Sequence, residues 1–287
     1  MRTQEELKTS APLKALVLTF SQTGHTGIYG KLIAKTLESH GIQVTASDYR
    51  NLKKDEVSAC DLLIVGTPIN YMEVPTAFAS WLESIPRIGG TPTAAFVSYG
   101  GPGSNVHNVQ CMLMDILAQK GGVPIAMSAF GNMSTFAPTW STGNEKRTLK
   151  YQHLPDEKTF QQVRDFTNSM ISKIKAKRRL EYSREFEFSG IFGGGISIWG
   201  TKILISKHHI NHEECIECMT CEESCPVGAV DQKSGKVNTE KCVACFGCVN
   251  NCPTGAMKMK YLSSDIIGFR RFIESKGVEI RQPKELA

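Results

Sequence analysis

No stretch of about 20 apolar residues occurs anywhere in the chain, so the sequence offers no helix able to span a bilayer. The most apolar stretch, 190–206, is broken by Gly193, Gly194, Gly195, Gly200 and Lys202 and reads as a buried linker or strand. The first 14 residues are polar and charged and carry no apolar core of the secretory-leader type. An excess of acidic residues is also missing: the net charge is +5. Basic residues come without an aromatic platform or a recognised binding motif, which leaves little signal for nucleic acid. What is present is 287 residues, enough for two domains, with an ordinary 41% of hydrophobic residues.

The charge is placed unevenly. Between residues 150 and 184 nine basic residues face four acidic ones, a local excess equal to that of the whole chain. The plain reading is a solvated helix face; the sharper one is a docking patch for an acidic partner, because charge steers encounter more than it sets affinity.

Eight of the ten cysteines lie between Cys215 and Pro253 in two copies of one pattern, C-x2-C-x2-C-x3-C-P. The first copy is Cys215, Cys218, Cys221, Cys225 and Pro226; the second is Cys242, Cys245, Cys248, Cys252 and Pro253. This run holds cubane iron–sulfur clusters, and its fourth cysteine serves the cluster of the other copy. The expected ligand sets are therefore Cys215, Cys218, Cys221 and Cys252 for one [4Fe–4S] cluster, and Cys225, Cys242, Cys245 and Cys248 for the other. Zinc sites usually mix histidine with cysteine or use two C-x2-C pairs for one ion. A disulfide framework fits a secreted chain better. His208, His209 and His212 are read as residues of the strand entering the first cluster loop. Cys60 and Cys111 stand apart and read as small buried hydrophobes.

Upstream, strands and helices alternate, which predicts a parallel doubly wound α/β sheet. Residues 15–20 form a continuous apolar run, the mark of a buried strand. Ser21, Gln22, Thr23, Gly24, His25 and Thr26 follow, then an amphipathic helix carrying Ile28, Leu32, Ile33 and Leu37. Strand, hydroxyl-rich glycine loop and helix together make an anion site, because the N–H groups and dipole of the helix start face the loop. The loop has no lysine, so it is not a triphosphate loop, and no G-x-G-x-x-G, so it is not a dinucleotide fingerprint. Further strands are expected at 43–47, 61–67, 94–98 and 124–130, with helices near 106–120 and 156–180. Two strand ends carry unusual loops, at Pro68, Ile69, Asn70 and Tyr71 and at Tyr99, Gly100, Gly101 and Asn105. Ligands in such sheets lie outside the carboxyl ends of the strands.

The Ser21-x-Thr23-Gly24-x-Thr26 loop resembles the phosphate loop of the flavodoxin family, and the resemblance covers roughly residues 13–175. It implies the sheet order 2-1-3-4-5 and an FMN cofactor. By this resemblance Ser21, Thr23, Gly24, His25 and Thr26 hold the FMN phosphate. Pro68, Ile69, Asn70 and Tyr71 pack on the flavin ring, and Tyr99, Gly100, Gly101 and Asn105 approach its edge. Residues 207–262 resemble a small α+β two-cluster ferredoxin. Together they look like the flavodoxin–ferredoxin fusion proteins of anaerobes. The chain departs from short flavodoxins in not being acidic.

The expected organisation is a flavodoxin-like domain at 13–180, a linker at 181–206, a ferredoxin domain at 207–262, and a terminal helix over 264–275 with a polar tail. Phe186, Phe188, Ile191, Phe192 and Trp199 suggest that the linker lies packed on a surface, with Gly193–Gly195 in a tight turn. The long loop 131–155 either covers the flavin or contacts the ferredoxin domain. The implied function is electron transfer between FMN and two [4Fe–4S] clusters, in a cytoplasmic carrier serving redox partner proteins. Ile216, Val243, Ala244, Phe246 and Val249 favour shielded, low-potential clusters. Two other functions fit the same sequence: an FMN-dependent reductase of a small substrate fed by the clusters, and a non-redox scaffold without flavin. No nicotinamide site is visible.

Overall fold

In a computed structural model of the chain, the described residues are 13–101, 105–185, 197–206 and 208–286. Five strands form a parallel sheet in the order 2-1-3-4-5: β1 (Lys14–Thr19), β2 (Gln43–Asp48), β3 (Leu62–Pro68), β4 (Pro92–Tyr99) and β5 (Val123–Gly131). Its three central strands are buried almost end to end. Side chains alternate across the sheet, so each strand feeds two cores. Val17, Ile64 and Phe96 pack against helices α1 (His25–Ser39) and α6 (Glu157–Lys175). Leu18, Val65 and Val97 pack on the other face against α2 (Thr76–Glu83) and α3 (Val106–Gln119). Parallel pairing sends the ends of β1, β3, β4 and β5 to one edge, where the expected loops gather.

Between β5 and α6 the chain forms two short helices, α4 (Pro138–Ser141) and α5 (Glu145–Leu149). Met133, Ala137 and Trp140 from this stretch are buried in a third core, shared with Ile210, Phe246, Val249, Phe269 and Phe272. The long loop thus serves as part of the core of the cysteine-bearing region. Asn250 is buried and uses both ends of its amide there, donating to the Thr135 carbonyl (2.9 Å) and accepting from Phe269 N–H (3.0 Å).

After α7 (Ile198–Leu204) come β6 (His209–Ile210), α8 (Thr220–Glu223), β7 (Val230–Asp231), β8 (Lys236–Val237), α9 (Gly247–Asn251) and β9 (Met257–Lys258), the strands pairing in the order 7-8-6-9. The hairpin β10 (Lys260–Tyr261) and β11 (Ser264–Asp265) leads into α10 (Phe269–Ser275). The terminal helix is therefore shorter than its sequence pattern, because Ser264 is drawn into pairing with Tyr261.

Two features of the connection and tail correct the sequence reading. Trp199 is 74% exposed on α7 and is not packed on a surface. Phe186, Phe188, Ile191, Phe192 and Gly193–Gly195 lie outside the described residues. The tail is not merely polar: Ile280 and Leu286 return to the α1–α6 core, and Glu285 pairs with Arg164 at 2.8 Å.

Candidate functional site

The two cysteine repeats fold alike. In the first, Glu217 and Met219 take left-handed backbone conformations, with φ of 55° and 59°. In the second, the matching Ala244 and Phe246 do the same, with φ of 51° and 59°. Such conformations are costly away from glycine and cluster at functional sites. Here they aim backbone N–H groups at sulfur: Glu217 N–H lies 3.4 Å from Cys215 Sγ, and Ala244 N–H lies 3.4 Å from Cys242 Sγ.

The cysteines gather in crossed sets. Cys215, Cys218, Cys221 and Cys252 surround one small cavity with Ile210, Gln232 and Met257. Cys225, Cys242, Cys245 and Cys248 surround another with Val230, Ala244, Phe246 and His208. Among the described residues no three Cys, His, Asp or Glu side chains converge closely enough to share one metal ion. Four thiols spread around a cavity fit a cube of iron and sulfide better than a single tetrahedral ion.

Burial pushes the Cys245 thiol up to about 11, opposed by the Gly247 N–H and the Gln22 side chain. Burial likewise raises Cys248 well above the usual thiol range. These thiols are neutral in the free chain, so loading with metal must release their protons. His208 sits against this second cavity rather than on the strand itself, and only His209 is in β6. Both ring nitrogens of His208 are buried without a hydrogen-bond partner.

At the carboxyl edge of the five-stranded sheet lies a cavity of about 420 Å³. Pro68, Ile69, Asn70, Tyr71, Gly100 and Gly101 line it, as the sequence predicts for the flavin ring. Gly100 is needed for this shape, since a Cβ there would stand 2.3 Å from Ser134 Cα. Tyr71 and Met72 hold the loop in left-handed conformations, with φ of 52° and 62°. Asn132 and Thr148 also line the cavity, and Asn132 Oδ1 and Thr148 Oγ1 are buried without partners. An unpartnered amide oxygen, which accepts, and an unpartnered hydroxyl, which can donate or accept, are groups that a polar cofactor in the cavity would complete. Sequence reasoning missed both residues, because the loop that carries them has no motif.

The glycine loop contributes differently. Ser21, Thr23 and Gly24 line a second cavity, of about 410 Å³, that runs between α1 and β2. Their hydroxyls have internal partners: Ser21 Oγ accepts from Gly27 N–H at 3.0 Å, Thr23 Oγ1 lies 3.4 Å from His25 Nδ1, and Thr26 Oγ1 lies 2.8 Å from Ser98 Oγ. His25 is buried against Phe269, and burial lowers its imidazole to about 4. From this loop only Gln22 reaches the 420 Å³ cavity. Tyr99 does not line either cavity; its carbonyl accepts from Asn132 N–H at 2.8 Å. Asn105 caps α3 with φ of 50°.

The large cavity and the second cysteine set share a wall made of Ala244, Cys245 and Phe246. Phe136 bridges the two regions, meeting Tyr71 and Phe246 edge-on at 6.3 and 5.4 Å between ring centroids. Arg50 adds a second tie, donating to the carbonyls of Ser21 (3.1 Å) and Glu223 (3.0 Å). Among the described residues no helix is long and apolar enough to cross a membrane.

A flavodoxin-domain family model matches residues 16–120, and a 4Fe-4S dicluster-domain model matches residues 207–253. No curated protein matches the chain. Among solved structures, a flavodoxin from the domain Archaea is 19% identical at a TM-score of 0.42, over 57% of this chain and 99% of its own. The two-electron reduced flavodoxin of Megasphaera elsdenii is 18% identical at a TM-score of 0.38, over 54% and 98%. The rubredoxin:oxygen oxidoreductase of Desulfovibrio gigas is 18% identical at a TM-score of 0.43, over 57% and 36%. The two family models and the observed sheet order agree: the chain joins a flavodoxin domain to a 4Fe-4S dicluster domain, as a flavodoxin–ferredoxin fusion with an electron-transfer role.

Proposed function

We propose that this chain is an internally wired electron carrier, with FMN in the 420 Å³ cavity and a [4Fe–4S] cluster in each of the two crossed cysteine sets. The observation that carries the reading is the shared wall: Cys245 faces both the large cavity and the cavity enclosed by Cys225, Cys242 and Cys248. FMN exchanges two electrons or one, whereas each cubane exchanges one, so the pairing links both kinds of redox partner.

In this reading Pro68–Tyr71 and Gly100–Gly101 flank the ring, and Asn132 and Thr148 supply the polar contacts left open in the cavity. The glycine loop at the start of the 15-residue helix α1 would hold the phosphate through its remaining backbone N–H groups, the Ser21 N–H being given to Asp48 Oδ2 at 3.2 Å. Its side-chain hydroxyls hold the loop in shape. Phe136 and Phe246 meet edge-on at 5.4 Å between centroids in the wall and would make the space between the two cofactors apolar. The two crossed cysteine sets would hold neighbouring clusters within the 207–262 domain and so supply one-electron exchange with a redox partner protein, for which the basic 150–184 segment would offer steering charge.

Anaerobic preparation followed by assay of iron, sulfide and flavin tests this reading. About eight irons and one FMN per chain are expected from two cubanes. Zinc in place of iron, or a chain that releases no flavin after reconstitution, would overturn it. Turnover of a panel of small acceptors with reduced ferredoxin separates a carrier from a reductase: a carrier reduces redox proteins and dyes only.

A further inference from the structure

Gln22 is the one residue of the glycine loop that lines the 420 Å³ cavity. The loop's hydroxyls turn inward, but the Gln22 side chain points across the junction into the 420 Å³ cavity. Its Nε2 is buried and has no hydrogen-bond partner of ordinary geometry. It stands beside Gly247: a Cβ on Gly247 would lie 2.9 Å from Gln22 Nε2 and 3.6 Å from Cys245 Sγ. The absence of a side chain at 247 is what lets an amide from the flavodoxin domain come up to a cysteine of the dicluster domain. A buried amide N–H without a partner carries an uncompensated desolvation penalty, so the position needs an acceptor that the free thiol supplies poorly.

A thiolate is that acceptor. Other N–H groups that reach these sulfurs come from within the cysteine domain. Ala229 N–H approaches Cys225 Sγ at 3.2 Å, and Ala244 N–H approaches Cys242 Sγ at 3.4 Å. On the first set, Gln232 Nε2 approaches Cys215 Sγ at 3.4 Å. Gln22 would be the same chemistry delivered from the other domain, to the sulfur that forms the shared wall.

Resting on the function proposed above, we infer that Gln22 is a positioning residue that sets the potential of the cluster held by Cys225, Cys242, Cys245 and Cys248, by donating an amide N–H to the Cys245 sulfur. A cluster held there would gain one negative charge on reduction, part of it on the cysteine sulfurs. A donor at Cys245 stabilises that charge more than it stabilises the oxidised form. It would therefore raise the potential of this cluster above the value it has without the Gln22 donor. The same side chain borders the flavin cavity, so the loop that holds one redox centre tunes the next. The first cluster, with its own amide from Gln232, is untouched and serves as an internal reference.

The test is an anaerobic, EPR-monitored redox titration of the full chain with Gln22→Met and Gln22→Leu, both of which remove the donor and add no charge. The signal of the second cysteine set is identified by its loss in Cys225→Ser. The expected result is a shift of about tenfold towards the oxidised form of that cluster alone, or about 59 mV for one electron, in chains that retain their full iron content. Unchanged potentials in iron-replete variants, or equal shifts of both clusters, would overturn the role of Gln22 while leaving the carrier function standing. A wild-type chain that takes up no iron would overturn the carrier function itself and this role with it.

Discussion

The Tyr71 hydroxyl donates a 2.6 Å hydrogen bond to the Ala244 carbonyl, across 173 positions of sequence. Tyr71 belongs to the loop after β3 and Ala244 to the second cysteine loop, and both have left-handed backbones. Two strained segments are thus fixed against each other at the wall between the large cavity and the Cys245 set. The sequence offered Tyr71 as a ring-stacking residue. In the structure its hydroxyl ties one domain to the other.

Tyr71→Phe keeps the ring and removes this bond. Leaving the Ala244 carbonyl unpaired should cost about 1–3 kcal/mol. Urea denaturation of the metal-loaded chain should show the loss, and rapid-mixing absorbance should show slower electron exchange between flavin and clusters. An unchanged exchange rate would mean that the bond is only structural.

The crossed cysteine sets predict crossed damage. Cys225→Ser should abolish the EPR signal of the cluster of the second repeat, and Cys252→Ser that of the first. Each variant should retain about half the iron. Damage confined to the mutated repeat's own cluster would show that the ligand sets do not cross.

Gly100→Ala brings a Cβ to within 2.3 Å of Ser134 Cα, a backbone atom that cannot rotate away. Overpacking of this kind costs about 1–3 kcal/mol. The two loops that flank the cavity must part, so flavin affinity measured by fluorescence quenching should fall by tenfold or more.

His25 is buried and held neutral, its imidazole lowered from 6.5 to about 4 by burial. The unfolded chain binds a proton there at higher pH than the folded chain does. Stability from this group is therefore complete above about pH 6.5 and is lost as the pH falls towards 4. The loss is on the order of 3 kcal/mol, at 1.36 kcal/mol per unit. Denaturation of the metal-free chain at pH 7 and pH 4.5 should show that loss, and His25→Phe should flatten the difference. An equal pH dependence in the variant would assign the effect to other groups.

Trp140 stacks on Phe272 at 4.6 Å between centroids and donates to the Ile267 carbonyl at 2.7 Å. Trp140→Ala should destabilise by about 3–5 kcal/mol. It should also loosen α10 first, detectable as faster amide exchange over 266–275 than within the five-stranded sheet.

Much of this arrangement was legible in the residues. Alternating apolar runs and helices predict a parallel doubly wound sheet, because buried parallel strands must be apolar on both faces; the order 2-1-3-4-5 is what the flavodoxin resemblance implies. The cysteine spacing carried the repeat symmetry, since a loop of that length admits few conformations. The 131–155 stretch was ambiguous because its core residues Met133, Ala137 and Trp140 follow no single period: short helices and turns hide which face is buried. The shortened last helix was misread for a related reason, as a two-residue strand leaves no pattern.

The sequence alone determined the chemistry available: eight cysteines at cluster spacing and a hydroxyl-rich loop at a helix start. Local spacing suffices for these because each motif is a property of one short segment. Only the tertiary structure decided where the centres meet. Cys245 as a shared wall, Tyr71 on Ala244, Gln22 beside Gly247 and the orphaned Asn132 and Thr148 all join segments far apart in the chain. Such contacts depend on how two domains dock. Docking is set by the summed fit of Phe136, Trp140, Asn250 and Arg50 across the junction, which no single motif encodes.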